Sequence, residues 1–113
     1  MAWRVEFHDA FLPEFEALAG PVQDALLAHL HRLQEFGPAL GRPAVDTVKG
    51  SRIANLKELR FDAEGGVWRV LFAFDGRRVA VLLTAGDKAG VAQARFYRRL
   101  VATAETRWAK ERR

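Results

Sequence analysis

The sequence predicts an α+β fold in the order β-α-α-β-β-β-α: a mainly antiparallel four-stranded sheet with an N-terminal helix hairpin and a C-terminal helix. Three observations carry that prediction. Apolar and polar residues alternate at the N-terminus and again through residues 59–74. Apolar residues recur at helical spacing over 11–36 and 96–108. Glycine and proline pairs punctuate the boundaries. At 113 residues, 50% of them hydrophobic, residues 1–113 are the size of one domain with one core.

Each element follows in turn. In "WRVEFH", Trp3, Val5 and Phe7 alternate with Arg4, Glu6 and His8, the pattern of a half-buried strand. Phe11, Phe15 and Leu18 form a short helical stripe, stopped at Ala19-Gly20-Pro21, where the proline starts the next helix. Val22, Leu26, Leu30, Leu33 and Phe36 make one apolar face that ends at Gly37-Pro38. Residues 38–54 hold prolines and glycines without a period and read as a loop with one turn at most. Leu59 and Phe61 then alternate with Glu58 and Arg60, and "AEGG" makes a tight turn into the strand carrying Trp68, Val70, Phe72 and Phe74. "DGRR" gives a second hairpin, and "VAVLLT", apolar on both faces, reads as a central strand. Phe96, Leu100, Ala104 and Trp108, with Tyr97 and Val101 beside them, define the last helix, whose basic end "AKERR" is expected to fray.

Composition excludes several function classes. Without cysteine there are no disulfides, thiolate nucleophiles or cysteine-ligated metals, and three histidines are too few to predict a metal cofactor, so none is expected. No apolar run approaches the roughly 20 residues of a membrane span, and the N-terminus lacks the order of a signal peptide, which predicts a soluble, cytoplasmic protein. The net charge of +4 hides an asymmetry. Residues 1–40 carry four more acidic than basic groups, and the remainder carries eight more basic than acidic ones. That second part attracts nucleic acid or an acidic protein partner.

Strand alternation also orients the sheet. With Leu59, Phe61, Trp68, Val70, Phe72 and Phe74 under the helices, Arg60 and Arg69 share the opposite, open face, and the turn at Gly86-Asp87-Lys88 is placed to project Lys88 over it. Taken alone, a strand arginine is an ordinary solvated or salt-bridged surface residue, and Glu58 is a ready partner. Tyr97 taken alone is a core-edge aromatic.

The segments "LKELRF", "VWRVLFAF", "VAVLLTAGDK" and "FYRRL", in this order and spacing, resemble the RelE/HigB-type toxins of type II toxin–antitoxin systems, in particular the phage-associated HigB-like branch of the RelE/ParE superfamily. The resemblance covers nearly the whole chain. It implies a small α/β toxin that cleaves mRNA, usually on the ribosome, and is neutralised by a cognate antitoxin, commonly a helix-turn-helix protein, in a toxin–antitoxin hetero-oligomer. It places Arg60 and Arg69 at basic strand positions of the family, Lys88 at or near the basic residue after the last strand, and Tyr97 at the aromatic residue that follows. Glu58 stands where some members have a catalytic lysine, and Asp87 precedes Lys88 where the pattern is often doubly basic. Lys57, Arg95, Arg98 and Arg99 are expected RNA contacts.

The chemistry has its own logic. Metal-independent RNA cleavage needs a proton acceptor for the 2′-hydroxyl, cations for the phosphoryl oxygens and a proton donor for the leaving oxygen. Arg60 and Arg69 suit the second task, because a guanidinium fork matches phosphate and stays charged. Among several positive charges a lysine or tyrosine is expected to have a lowered pKa, which makes Lys88 and Tyr97 candidates for acid or base, with Glu58 a further candidate base, and the sequence does not choose among them. His29 and His31, two apart on a helix, point about 200° from one another and share no site, and His8 reads as a surface histidine. Trp3, Trp68 and Trp108 read as core anchors. Two other functions remain open: a ParE-like gyrase poison, and a catalytically inactive binding module of the same fold.

Overall fold

In the computed structural model, residues 2–111 are described. The chain forms β1 (Arg4–Phe7), α1 (Leu12–Glu16), α2 (Gly20–Phe36), a single 3-10 turn (Gly37–Ala39), β2 (Val45–Thr47), β3 (Lys57–Ala63), β4 (Gly66–Phe74), β5 (Val79–Asp87) and α3 (Gln93–Glu111). The α+β class and the predicted order stand. The strand count is corrected: among the described residues the sheet has five strands, in the order β1-β5-β4-β3-β2. The additional strand, β2, is three residues long and lies in the segment expected to be loop; it pairs antiparallel with β3, Val45 facing Leu59 and Thr47 facing Lys57. Of the "AKERR" end, α3 takes in the first part, while Arg112 and Arg113 lie outside the described residues.

β1 runs parallel to β5, and the other neighbours are antiparallel. This puts "VAVLLT" between two strands, as its two apolar faces require. The β3–β4 turn is a two-residue hairpin at Glu64 and Gly65, both with positive φ (52° and 74°), a mirror-image turn that glycine allows without strain. The "DGRR" turn works differently. Its positive φ falls on Arg78 (64°), and the Asp75 carboxylate closes the loop by accepting from the backbone N–H of Arg77 (2.8 Å) and Val79 (3.3 Å).

Both faces of the sheet are covered, so the single core expected from length is two clusters, one on each face. On one, Phe11 and Phe15 with Val22, Leu26, Leu30 and Leu33 from α2 pack on Leu59, Phe61, Val70, Phe72, Ala80 and Leu82. On the other, Phe96, Leu100 and Ala104 of α3 pack on Leu71, Ala73, Val79, Val81 and Leu83, with Ile53 and Leu56 at the margin. The expectation of an open second face is therefore wrong, and the reason is α3: its apolar stripe needs an apolar surface, and only the second face has one free. A register irregularity between Leu71 and Phe72, where the pairing passes from Thr84 to Leu82 and skips Leu83, bends the sheet under that helix.

Candidate functional site

The site begins with β3 alternation. Leu59 and Phe61 enter the α2-side core, so Glu58 and Arg60 point to the α3 side. The β3–β4 register sets Arg60 directly opposite Arg69, two guanidinium groups on one face whose repulsion must be offset. Glu58 offsets it. Its Oε1 lies 3.7 Å from Arg69 Nε and its Oε2 3.9 Å from Arg60 Nε, close ion pairs too long to be hydrogen bonds. From α3, the Tyr97 hydroxyl donates to Glu58 Oε1 at 2.5 Å. The short β2 adds a second carboxylate: Asp46 Oδ2 is 3.9 Å from Arg60 Nη1 and 3.3 Å from Arg42 Nε. The backbone N–H of Thr47, and then Arg42 and Arg60, hold the Asp46 carboxyl below its ordinary range. Nothing in "VDT" marks it as part of a site; its only sequence signal is an acidic residue at a strand position paired with Glu58.

Burial grades this cluster. Side-chain exposure is 7% for Arg69 and 9% for Glu58, but 35% for Arg60. Arg69 therefore does not lie on an exposed face, contrary to the alternation argument, because α3 closes over it. Arg69 Nη1 donates to the Trp68 carbonyl at 2.9 Å, and its Nε is buried with no hydrogen-bond partner. A buried guanidinium N–H without an acceptor is costly unless a ligand oxygen completes it.

Tyr97 also departs from expectation. Its pKa is raised, first by burial and then by donating to Glu58, with Arg69 acting only in part the other way. The phenol is a held proton donor. Gly86, paired with Arg69 across β4–β5, lets α3 come this close: a Cβ there would lie 2.9 Å from Phe96 Cε1 and 3.2 Å from Leu100 Cδ1. Asp87 has a backbone role. Its Oδ1 accepts from the N–H of Val67 and of Ala89, both at 2.9 Å, which shapes the turn that presents Lys88. Lys88 Nζ then sits 3.5 Å from Gln93 Oε1 and 5.9 Å from the centre of the Tyr97 ring. Arg60, Arg69 and Tyr97 thus converge on Glu58, and Lys88 joins them across the face of Tyr97.

The expected RNA contacts divide. Arg95, Arg98 and Arg99 are exposed on α3. Lys57 is on the other side of the sheet: it pairs with Phe72, whose ring is in the α2-side core, and its Nζ donates to Thr47 Oγ1 at 2.9 Å. Period-2 alternation from Glu58 already held that information. His8 is corrected as well; it is buried, and its Nδ1 accepts from the Ala10 N–H at 3.0 Å, turning the chain from β1 into α1. His29 stacks on Phe61, with a pKa lowered by burial and then by Arg32. The tryptophans are anchors as read: Trp3 packs edge-on against Phe74, and Trp68 and Trp108 border the two cores. Among the described residues no three His, Asp or Glu side chains gather as a metal site, and no helix is long and apolar enough to cross a membrane.

Residues 13–109 match a family described as phage-derived Gp49-like protein (DUF891). The chain is 53% identical over 68 residues to HigB2, a candidate toxin of Mycobacterium tuberculosis, a match covering 59% of this chain and 34% of that protein. It is 46% identical over 76 residues to HigB3, a candidate toxin of the same organism, covering 67% of this chain and 65% of that one. The matches thus span about a third and just under two thirds of these relatives. Among solved structures, the chain superposes on a free-state mutant of Escherichia coli RelE with a TM-score of 0.61 at 16% identity, covering 90% of this chain and 96% of that one. On the RelE of a Pyrococcus horikoshii RelE–RelB complex the score is 0.59 at 19% identity, covering 80% and 100%. These two likenesses establish a RelE-like fold.

Proposed function

This chain belongs to the phage-derived Gp49-like family and is of the RelE/HigB type, and from that membership we propose that it is the toxin of a type II toxin–antitoxin pair, a metal-independent endoribonuclease that cleaves mRNA on the ribosome. One observation carries the chemical part: a single carboxylate, Glu58, held between two guanidinium groups and hydrogen-bonded by a phenol whose pKa is raised. In this reading Glu58 is the base. It takes the proton of the 2′-hydroxyl as that oxygen forms a bond to the adjacent phosphorus. Arg69 and the more exposed Arg60 bind the phosphoryl oxygens as their charge grows, and Arg69 Nε, ion-paired with Glu58 but without a hydrogen-bond acceptor, finds one there. Tyr97, released from Glu58 by the incoming hydroxyl, protonates the departing 5′-oxygen; the P–O5′ bond breaks and a 2′,3′-cyclic phosphate remains. Glu58 then returns its proton to Tyr97. Lys88, over the Tyr97 ring, adds positive charge beside the leaving oxygen.

The proposed partner is a cognate antitoxin, commonly of the helix-turn-helix kind, that covers this basic side of the molecule. HigB2 and HigB3, by their names, and the RelE–RelB pair support an antitoxin partner. Purified protein added to a translating extract, with primer-extension mapping of mRNA ends, tests the reading. New ends that vanish with Glu58→Gln are the expected result. Intact mRNA with inhibited supercoiling identifies a gyrase poison instead, and intact mRNA without either effect leaves a binding module whose arginines are neutralised by Glu58.

A further inference from the structure

Beside the Glu58 cluster, a groove of about 400 Å³ runs between the loop at Lys49 and Gly50 and the outer side of α3. Tyr97 belongs to both: its hydroxyl is in the cluster, and its side chain lines the groove. Val101 and Ala102 give an apolar wall, and the cations Lys49 and Arg98, both exposed and without an ion pair among the described residues, flank it. The groove also contains a carboxylate, Glu105, which would repel a polyanion if free. It is not free. Glu105 Oε2 accepts from Ser51 Oγ at 2.8 Å and from the Arg52 N–H at 2.7 Å, and the Arg52 guanidinium lies 3.4 Å from Oε1. These bonds tie the loop to α3 and fix the groove's second wall in place before any ligand arrives.

We infer that this groove is a nucleotide subsite: it takes the base of the single-stranded RNA nucleotide next to the scissile phosphate, with Lys49 and Arg98 on that nucleotide's phosphates. The inference rests on the ribonuclease reading and deepens it. Its volume lies in the range of small-ligand pockets. An aromatic and aliphatic lining between two cations fits a flat ring joined to a phosphate, because every base offers a π-face and the backbone requires cations. Shared use of Tyr97 puts the occupant one residue from Glu58, so a filled groove aligns the 2′-hydroxyl with the base.

The test is an NMR titration of the full chain with each nucleoside 5′-monophosphate, beside a measurement of mRNA cleavage. Saturable amide shifts at Gly50, Arg98 and Ala102 are expected. Ala102→Trp, which fills the groove from an exposed position, should weaken binding at least roughly tenfold, as loss of a stacked base does. Arg98→Ala should weaken it as well, while Arg32→Ala, the same change of charge on α2, should leave it as it is. The subsite is overturned if inorganic phosphate alone gives the same shifts, or if Ala102→Trp and Arg98→Ala bind like wild type. Nucleotide shifts without mRNA cleavage keep the subsite and sink the nuclease. Cleavage with no nucleotide shifts, and with unchanged KM in Ala102→Trp, keeps the nuclease and sinks the subsite.

Discussion

The two faces of the sheet are built from the same alternating strands and end differently. Beneath α2, β3 and β4 present Leu59, Phe61, Val70 and Phe72, and the face is closed with apolar side chains. Beneath α3, the corresponding positions are Glu58, Arg60, Arg69 and Leu71, so the apolar contact stops midway and a charged cluster continues under the first turns of the helix. The first face is closed by apolar packing. The second gives up burial of apolar surface to hold the Glu58 carboxylate and the Arg69 guanidinium out of bulk water, with Arg60 half-buried at the rim, where fields are strong and the geometry is set by the backbone.

This contrast can be broken where it is steepest. Leu26, with no exposed surface, lies wholly in the α2-side core, and Leu26→Ala should cost about 3–5 kcal/mol in denaturant unfolding. Leu100, at 8% exposure on α3, should cost less, about 2–3 kcal/mol for the same replacement. Equal losses would mean the two faces are packed alike.

Arg69→Ala strikes the charged face. Cleavage should fall by about 10² to 10³, the loss of one preorganised donor to the phosphate. Unlike an exposed strand arginine, Arg69 should also matter for folding: its removal takes a cation from buried Glu58, for a loss of about 1–3 kcal/mol. Arg69→Lys should recover little activity, since the fork is lost. A variant as stable and as active as wild type would leave the cluster without a role.

Gly86→Ala tests how closely α3 must approach. The new methyl meets Phe96 and Leu100, so a destabilisation of about 1–3 kcal/mol is expected, with a drop in activity as Tyr97 is pushed from Glu58. Tyr97 itself supplies a pH test. Its pKa is raised in the folded chain above the unfolded value of about 10, so the stability it contributes is full below that value and is lost as pH rises through the folded pKa. Stability measured through this alkaline range should fall more steeply for wild type than for Tyr97→Phe; parallel curves would refute the half-buried phenol–carboxylate bond. The smallest effect belongs to Lys57→Ala, on the apolar side of the sheet, where stability should move by no more than about 0.5 kcal/mol and mRNA cleavage should hold. A marked loss of cleavage would return Lys57 to the RNA path.

Local pattern made most of this molecule legible. Period-2 and period-3.6 spacing, with glycine and proline stops, determined the order of the elements, the apolar residues of α2 and α3, and the paired placement of Arg60 and Arg69, because these follow from backbone geometry over a few residues. β2 escaped since three residues carry no period and their pairing energy comes from β3, across an irregular loop. The site's chemistry escaped for a related reason. Alternation says which side of a strand a residue takes, but whether that side meets water depends on where a distant helix lies. Only the packing of α3 across β4 and β5 turned Arg69 from a surface charge into a buried one, set the Tyr97 hydroxyl on Glu58 and raised the pKa of a phenol that neighbouring cations alone would have lowered. Sequence determined Glu58, Arg60, Arg69 and Tyr97 and the elements that carry them, though not Asp46 on β2; tertiary structure decided their dielectric and their partners, since desolvation and ion pairing depend on contacts between segments that the chain brings together only when folded.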